Sequence, residues 1–270
     1  VVFGAAGGFS ATELASDLNG FKILGAADER VGYAVCGAGD INGDGVADLI
    51  VSAFGTYPGS PSASYVVFGT RDGFPPEVHV SALNGSNGFK LPDAGWSVSV
   101  TGDLNGDGID DLVVGDANAG EYGSYRSGSV YVVFGRSEFS SVFDFESLDG
   151  SNGFRVDGEQ ANERAGRSVA VAADVNGDGI DDLIIGGSEH FSNPFPETQG
   201  KAHVVFGSAD GFAPVIELSN LDGTDGFRMA GEAVGDGFGL SVSGARGFHG
   251  DGIGEFIVGA PAARTGYGGA

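Results

Sequence analysis

The stretch DINGDGVAD, residues 40–48, decides the fold because it recurs twice in register, at residues 103–111 and 174–182. In each copy, oxygen-bearing side chains stand at positions 1, 3, 5 and 9, with glycine at positions 4 and 6. An apolar run rich in β-branched residues follows each copy directly, which is typical of a buried strand. The pattern therefore predicts an acidic loop between two strands.

These loops have the composition of a calcium site. Hard cations take carboxylate, amide and main-chain carbonyl oxygens, and glycine at position 6 permits the sharp turn of the similar EF-hand loop. An EF-hand loop, however, ends on glutamate at position 12 and lies between helices. The alternative interpretation is a solvated Asn-Gly or Asp-Gly turn. Crowded carboxylates repel one another unless a cation neutralises them, so we predict Ca²⁺ in all three loops.

The predicted ligands are the side-chain oxygens at positions 1, 3, 5 and 9 and the main-chain carbonyl of position 7. They are Asp40, Asn42, Asp44, Val46 and Asp48; Asp103, Asn105, Asp107, Ile109 and Asp111; and Asp174, Asn176, Asp178, Ile180 and Asp182.

A fourth copy of the loop, Gly247 to Glu255, is degenerate. Position 1 has lost its oxygen and position 3 is His249, while Asp251, Ile253 and Glu255 follow in register. We expect this loop to hold no calcium. A transition-metal site at His249 is the alternative, but the histidine has only carboxylates for company.

Other markers repeat with the loops. The tetrapeptide Val-Val-Phe-Gly occurs at residues 1–4, 66–69, 132–135 and 204–207, which gives a unit of roughly 65 to 70 residues. In the second full unit we predict strand A at 97–101, strand B at 111–115, strand C at 129–134 and strand D near 142–148. Glycine accounts for 51 of 270 residues, and no segment keeps a helical period. Repeated groups of four strands predict an all-β propeller of four-stranded antiparallel blades.

The two ends of the chain supply complementary parts of a unit. We predict a single domain, 1–270, with units at 31–93, 94–164 and 165–231 and a fourth blade shared between 1–30 and 232–270. Four repeats would then close a ring without exposed sheet edges. Since residue 1 lies within a repeat, we also expect further domains of a larger parent chain.

Composition limits the possible partners. A formal charge of −24 argues against nucleic acid and anionic membrane surfaces. No segment approaches 18 consecutive apolar residues, so we expect no membrane insertion. The lone Cys36 excludes an intramolecular disulfide and is predicted to lie buried in a strand of an extracellular, metal-stabilised protein. His79, His190 and His203 are scattered and are interpreted as ordinary surface or strand histidines. Tyr33 and Trp96 are expected in the core.

The order Gly-x-Ser-Val, then Gly-Asp-x-Asn-Gly-Asp-Gly-x-Asp-Asp-Leu-x-Val-Gly, then Val-Tyr-Val-Val-Phe-Gly resembles the FG-GAP repeat. The last unit has both namesake motifs, at Phe238-Gly239 and Gly259-Ala260-Pro261, whereas earlier units depart from them. Such repeats form the propeller head of integrin α subunits and occur in large secreted bacterial proteins. The resemblance implies calcium in the A–B loops, faces used for recognition, and no catalytic activity. It also opens an alternative fold, part of a seven-bladed ring.

The predicted function is a secreted or cell-surface recognition or adhesion module. The polar B–C loops at 53–64, 116–128 and 187–200, with Tyr57, Tyr122 and Tyr125, are the predicted contact face for a protein or glycan. A structural repeat without a specific ligand is the second hypothesis, and a hydrolase is the third. No Ser-His-Asp or Cys-His grouping and no phosphate-binding glycine loop with lysine is recognisable.

Overall fold

The computed structural model describes residues 1–4, 19–27, 29–53, 62–93, 95–99, 102–120, 126–188 and 199–263. Short strands and turns make up this part of the chain, and its helical segments are the three-residue 3₁₀ turns Val80–Ala82, Phe145–Ser147 and Leu218–Asn220. The strands are β1 Lys22–Leu24, β2 Val31–Gly39, β3 Asp48–Ala53, β4 Ala63–Val67, β5 Glu77–His79, β6 Gly88–Pro92, β7 Ser97–Ser99, β8 Leu112–Asp116, β9 Ser129–Val133, β10 Gly153–Asp157, β11 Ser168–Ala173, β12 Asp182–Gly187, β13 Lys201–Val205, β14 Val215–Glu217, β15 Gly226–Ala230, β16 Ser241–Gly244 and β17 Phe256–Gly259.

Three antiparallel sheets repeat one topology, which confirms the predicted propeller blades. Blade 1 has the strand order β2-β3-β4-β6, blade 2 has β7-β8-β9-β10, and blade 3 has β11-β12-β13-β15. β16 and β17 form a two-stranded sheet, which we call the inner pair. The connection after the third strand also runs parallel to the outer strand of the preceding blade, as β5 does beside β1 and β14 beside β10. Successive blades are therefore tied together at their outer edges.

The predicted position of strand D was wrong. Near residues 142–148 the chain forms an isolated bridge from Val142 to Lys90 of the preceding blade and then the turn Phe145–Ser147. The fourth strand is β10, which starts at the Gly-Phe marker. Gly153 has a φ of 136°, which only glycine adopts easily, and Phe154 then enters the core. The connecting segment is apolar because it covers the neighbouring blade.

The hydrophobic core lies between blades. Along each strand, alternate side chains face the preceding and the following blade. Ile50 of blade 1, for example, packs in one cluster with Leu112 and Val114 of blade 2. Val113 of blade 2 packs with Leu183 and Ile185 of blade 3. Both faces of a middle blade are buried, which explains the continuous apolar runs after each acidic loop.

Two predictions about blade 1 were not fully met. The prediction that Tyr33 packs in the core was wrong: half of the side chain is exposed, and the ring lies edge-on to Trp96 with centroids 6.2 Å apart. Cys36 is in a strand, as predicted, but it is only partly buried. Cys36 packs against the cluster between blades 1 and 2, at its margin.

The blade shared between residues 1–30 and 232–270 stays a prediction. Part of it, residues 5–18 and 264–270, lies outside the described residues. Within the described ranges, β17 pairs with β16, and Val2 forms a bridge with Gly20.

Candidate metal loops

The three intact loops adopt one repeated conformation, in which each loop folds around its own carboxylates. In the first loop, Asp40 Oδ1 accepts a hydrogen bond from the Asp44 amide at 3.0 Å, and Oδ2 accepts one from the Gly45 amide at 2.7 Å. Asp44 Oδ1 in turn accepts from the Val46 amide at 2.8 Å. The glycines at positions 4 and 6 have φ of 71° and 80°, so a side chain there would be strained.

The second and third loops reproduce these contacts. Position 1 accepts from the amide of position 6 at 2.7 Å in the second loop and 2.8 Å in the third. The carboxylate of position 5 accepts a hydrogen bond from the amide of position 7 at 2.9 Å in both loops. The side-chain Oδ1 of the position-3 asparagine also accepts a hydrogen bond from the position-5 amide at 3.0 Å in all three loops. The sequence pattern therefore fixes the loop geometry.

The position-9 aspartates are buried and link two sequence markers. Asp48 accepts from the amide of Ile41 in its own loop at 3.0 Å and from Gly69 of Val-Val-Phe-Gly at 2.7 Å. Asp111 accepts from Leu104 and Gly135 at 2.8 and 3.0 Å. Asp182 repeats the arrangement with Val175 and Gly207. Sequence reasoning missed this role, although the constant occurrence of both markers in each unit was a signal.

Burial also changes the acidity of these carboxyl groups. Desolvation raises the pKa of Asp48 and Asp182 to about 6 and that of Asp111 to about 7, against the lowering effect of the two amide hydrogen bonds. The carboxylates at positions 1 and 5 raise it further. A divalent cation beside them would favour the ionised form.

The donor set fits a hard cation. It contains carboxylate and amide oxygens and no thiolate or imidazole, which favours Ca²⁺ over zinc or copper. Each carboxylate oxygen at position 9 accepts one hydrogen bond from a main-chain amide and keeps a second lone pair that is available to an ion. The ligand assignment of all fifteen predicted residues stays a prediction.

The residue at position 8 makes a contact between loops that the sequence analysis did not predict. Asp110 Oδ2 in the second loop accepts a hydrogen bond at 2.8 Å from the amide of Asp40, which is position 1 of the first loop. The carboxylate of Asp181 lies where a Cβ on Gly102 would be, and it forms an ion pair with Arg246 at 2.7 Å. Adjacent loops therefore contact one another through position 8.

The degenerate loop keeps its turn with different partners. Glu255 accepts from the amides of Phe248 and His249 at 3.0 and 2.6 Å, and His249 Nδ1 lies 3.1 Å from Asp251 Oδ2. These three acidic and imidazole groups lie within 4.8 Å of one another and are largely exposed. The expectation that this loop holds no calcium stays a prediction.

A second polar cluster lies between blades 2 and 3. His203 is fully buried in β13, with Nε2 3.4 Å from Glu163 Oε1 and 3.9 Å from Glu159 Oε2. Lys201 and Arg228 each lie 2.9 Å from Glu159 and already neutralise it. We interpret the cluster as a structural ion network.

Repetition supports that interpretation. His203 occupies the strand position of Tyr65 in blade 1, and Glu163 occupies that of Glu29. The Tyr65 hydroxyl donates to Glu29. The His203–Glu163 contact thus repeats, in blade 3, a contact between the third strand of a blade and the segment that precedes its strand A.

Two further predictions concern His79 and the B–C loops. His79 lies exposed in β5. Within the predicted B–C loops, residues 54–61, 121–125 and 189–198 lie outside the described residues, and they include His190, Tyr57, Tyr122 and Tyr125. Within the described ranges, no helix is long and apolar enough to cross a membrane.

Comparison with known proteins identifies the repeat. A family model for the FG-GAP repeat matches residues 31–67, 94–133 and 165–205. Each range starts at strand A or three residues before it, contains one acidic loop and ends in strand C. The chain carries FG-GAP repeats, as its motifs predicted.

Similar curated proteins are of two kinds. Phosphatidylinositol-glycan-specific phospholipase D of Bos taurus is 32% identical over 178 residues, which cover 64% of this chain and 19% of the relative. Integrin alpha-PS5 of Drosophila melanogaster is 32% identical over 160 residues, covering 58% of this chain and 15% of the relative. Integrin alpha pat-2 of Caenorhabditis elegans is 28% identical over 239 residues, covering 86% and 18%. The chain thus spans less than a fifth of each relative.

Proposed function

Because the chain carries FG-GAP repeats, we propose that it is a calcium-binding extracellular propeller module that recognises a protein or a glycan. The observation that carries the proposal is the acidic loop geometry, which is repeated three times. The hydrogen bond from the amide of position 6 to the carboxylate of position 1 has the same length within 0.1 Å in all three loops. Each loop gathers two carboxylates and one amide oxygen beside a buried third carboxylate. A bound Ca²⁺ would neutralise this charge and hold adjacent blades together.

Calcium binding is tested by one loop variant. Asp107 is position 5 of the second loop, and its carboxylate is exposed. We expect Asp107→Ala to weaken calcium binding at one site by at least about tenfold, because the site loses one charged ligand. The calcium-dependent rise in the melting temperature should shrink accordingly, since bound ions stabilise the folded state by mass action.

The matched control is Asp210→Ala, which removes an exposed aspartate from a turn outside the loops. It should retain every calcium site in isothermal titration calorimetry. Equal calcium binding by Asp107→Ala and Asp210→Ala would contradict the proposal.

Recognition is assigned to the B–C loops for a physical reason. Loops of a repeat array cluster on one face, vary in length and carry function on a rigid scaffold. Integrin alpha subunits among the relatives support an adhesion role. Replacing residues 54–61 with a short Gly-Ser linker should abolish binding in a glycan array or a protein pull-down. Binding unchanged by this replacement would place the contact elsewhere.

A structural repeat without its own ligand is the second candidate. It is favoured by the occurrence of similar repeats in two unlike groups of proteins, integrin alpha subunits and phospholipase D. Absence of binding in both assays would support this role. We infer that the module is not itself catalytic, because its closely spaced carboxylates belong to the loops that are assigned to calcium. Hydrolysis that persists in folded protein after chelation would contradict this inference.

A further inference from the structure

Side chains at position 7 of the acidic loops pack between adjacent loops. A Cβ at Gly43, position 4 of the first loop, would stand 3.5 Å from Cδ1 of Ile109, which is position 7 of the second loop. The same contact joins Gly106 of the second loop to Ile180 of the third loop, also at 3.5 Å. The main-chain carbonyls of Ile109 and Ile180 are predicted calcium ligands. A residue expected to bind the ion of one loop therefore rests on the turn of the preceding loop.

The main chain of position 1 is also held by the following loop. The amide of Asp40 donates a hydrogen bond at 2.8 Å to Oδ2 of Asp110, which is position 8 of the second loop. The carbonyl of Asp103 accepts a hydrogen bond at 3.3 Å from the amide of Asp181, which is position 8 of the third loop. Asp40 and Asp103 are predicted to bind calcium through their side chains. The main chain that carries each of these carboxylates is thus positioned partly by the neighbouring loop.

The residue before position 1 is matched in size to position 8 of the following loop. As at the second loop, a glycine precedes the first loop, and a Cβ on Gly39 would stand 2.2 Å from Asp110 Oδ2. The sizes are exchanged at the third loop, where Ala173 precedes position 1. Position 8 of the degenerate loop is Gly254, and a Cβ there would stand 2.8 Å from the Cβ of Ala173. Because these junctions have no room for one more atom, a shift of one loop displaces its neighbour.

We propose that the intact loops bind calcium cooperatively, because the ligands of each loop are positioned by contacts from the next loop. The proposal rests on the proposed calcium sites. When Ile109 and Asp110 are fixed by an ion in the second loop, their contacts arrange Gly43 and Asp40 of the first loop. A ligand binds more tightly to a site whose competent conformation is already populated.

The coupling is expected between neighbouring loops. Among the described residues, the contacts of positions 7 and 8 join the first loop to the second and the second loop to the third. Binding equilibria are reciprocally linked, so occupation of the first loop also favours binding in the second. Repulsion between adjacent ions is reduced because each loop supplies three carboxylates for one ion. We therefore expect positive coupling between neighbouring loops and none between the first and the third.

Three variants that each disable one loop test this expectation. Asp44→Ala, Asp107→Ala and Asp178→Ala make the same change at position 5, where the carboxylate accepts a hydrogen bond from an amide of its own loop. Each variant keeps two intact loops, which are adjacent in Asp44→Ala and Asp178→Ala but separated in Asp107→Ala. Asparagine at the same position keeps an acceptor for that amide, and it replaces alanine in any variant that does not fold.

Calcium titration of metal-stripped protein by isothermal titration calorimetry gives the coupling. Double variants that keep a single loop give the binding constant of each loop alone. For two adjacent loops, the overall constant for two ions should exceed the product of the single-loop constants at least about fivefold. For the separated loops of Asp107→Ala, the overall constant should equal that product.

Two results would overturn the proposal in different ways. If all three variants bind two ions independently, the loops are uncoupled, and the calcium sites of the proposed function stand. If the parent chain binds no calcium, both the coupling and the proposed function are wrong.

Asp110 tests the route of the coupling. In the Asp178→Ala background the first and second loops remain, so each further change is read on one pair of loops. Asp110→Ala should lower the coupling, since the Asp40 amide loses its acceptor, whereas Asp110→Asn keeps an acceptor and should retain most of it. Unchanged coupling in the Asp110→Ala chain would overturn the route through position 8.

Discussion

At the scale of single residues, the position-9 aspartate separates what the sequence predicts from what it does not. Its recurrence at a fixed place in each loop predicted an acidic loop joined to a buried strand. Its hydrogen bond to the glycine of Val-Val-Phe-Gly was not predicted, because Asp48 and Gly69 are brought together only when strands β3 and β4 pair. Local motifs specify the loop, whereas the sheet register specifies its second partner.

His203 makes the stability of the protein sensitive to acid. Burial lowers the pKa of His203 to about 4, from an ordinary value of 6.5. Between these values the unfolded chain takes up a proton that the folded chain does not. The part of the unfolding free energy that depends on His203 is therefore fully present above pH 6.5 and is lost as the pH falls toward 4. The loss is about 3 kcal/mol at most.

The variant His203→Tyr tests this prediction, since blades 1 and 2 have tyrosine at the same position. Urea denaturation at pH 7 and pH 4.5 should show a smaller acid-induced loss of unfolding free energy than in the parent chain. The neighbouring groups Glu159, Glu163, Lys201 and Arg228 are unchanged in the comparison. His79→Tyr, at an exposed histidine, should leave the pH dependence as it is. The prediction is wrong if the two variants behave alike.

At the scale of elements, the acidic loops connect blades as well as strands. The apolar run after each loop and the Val-Val-Phe-Gly marker predicted the second and third strands closely. The fourth strand was misplaced because the apolar segment around Val142 and Phe145 covers a neighbouring blade instead of joining its own sheet. Such a contact depends on the packing of two units, and the sequence of one unit does not reveal it.

Asp110 provides a test of the contact between loops. In Asp110→Ala the amide of Asp40 loses its acceptor, so we expect destabilisation of about 1 to 2 kcal/mol and weaker cation binding in the first loop. Asp110→Asn keeps a side-chain acceptor and should lose less. Asp72→Ala, at an exposed turn, serves as the control. Equal unfolding midpoints in urea for Asp110→Ala and Asp72→Ala would show that this contact contributes nothing.

At the scale of the whole molecule, repetition in the sequence was enough to predict an all-β propeller architecture. The arrangement of the ends was not predictable in the same way, because the sequence of a half-blade does not show which segment completes it.

The most direct test of the account is the number of calcium ions bound per chain. The protein is dialysed to equilibrium in buffered Ca²⁺, and bound metal is counted by elemental mass spectrometry against protein concentration. We predict three ions per chain, one for each intact acidic loop, and a melting temperature that falls when the ions are chelated. A folded chain that binds no calcium, and whose melting temperature is unchanged by chelator, would contradict the account.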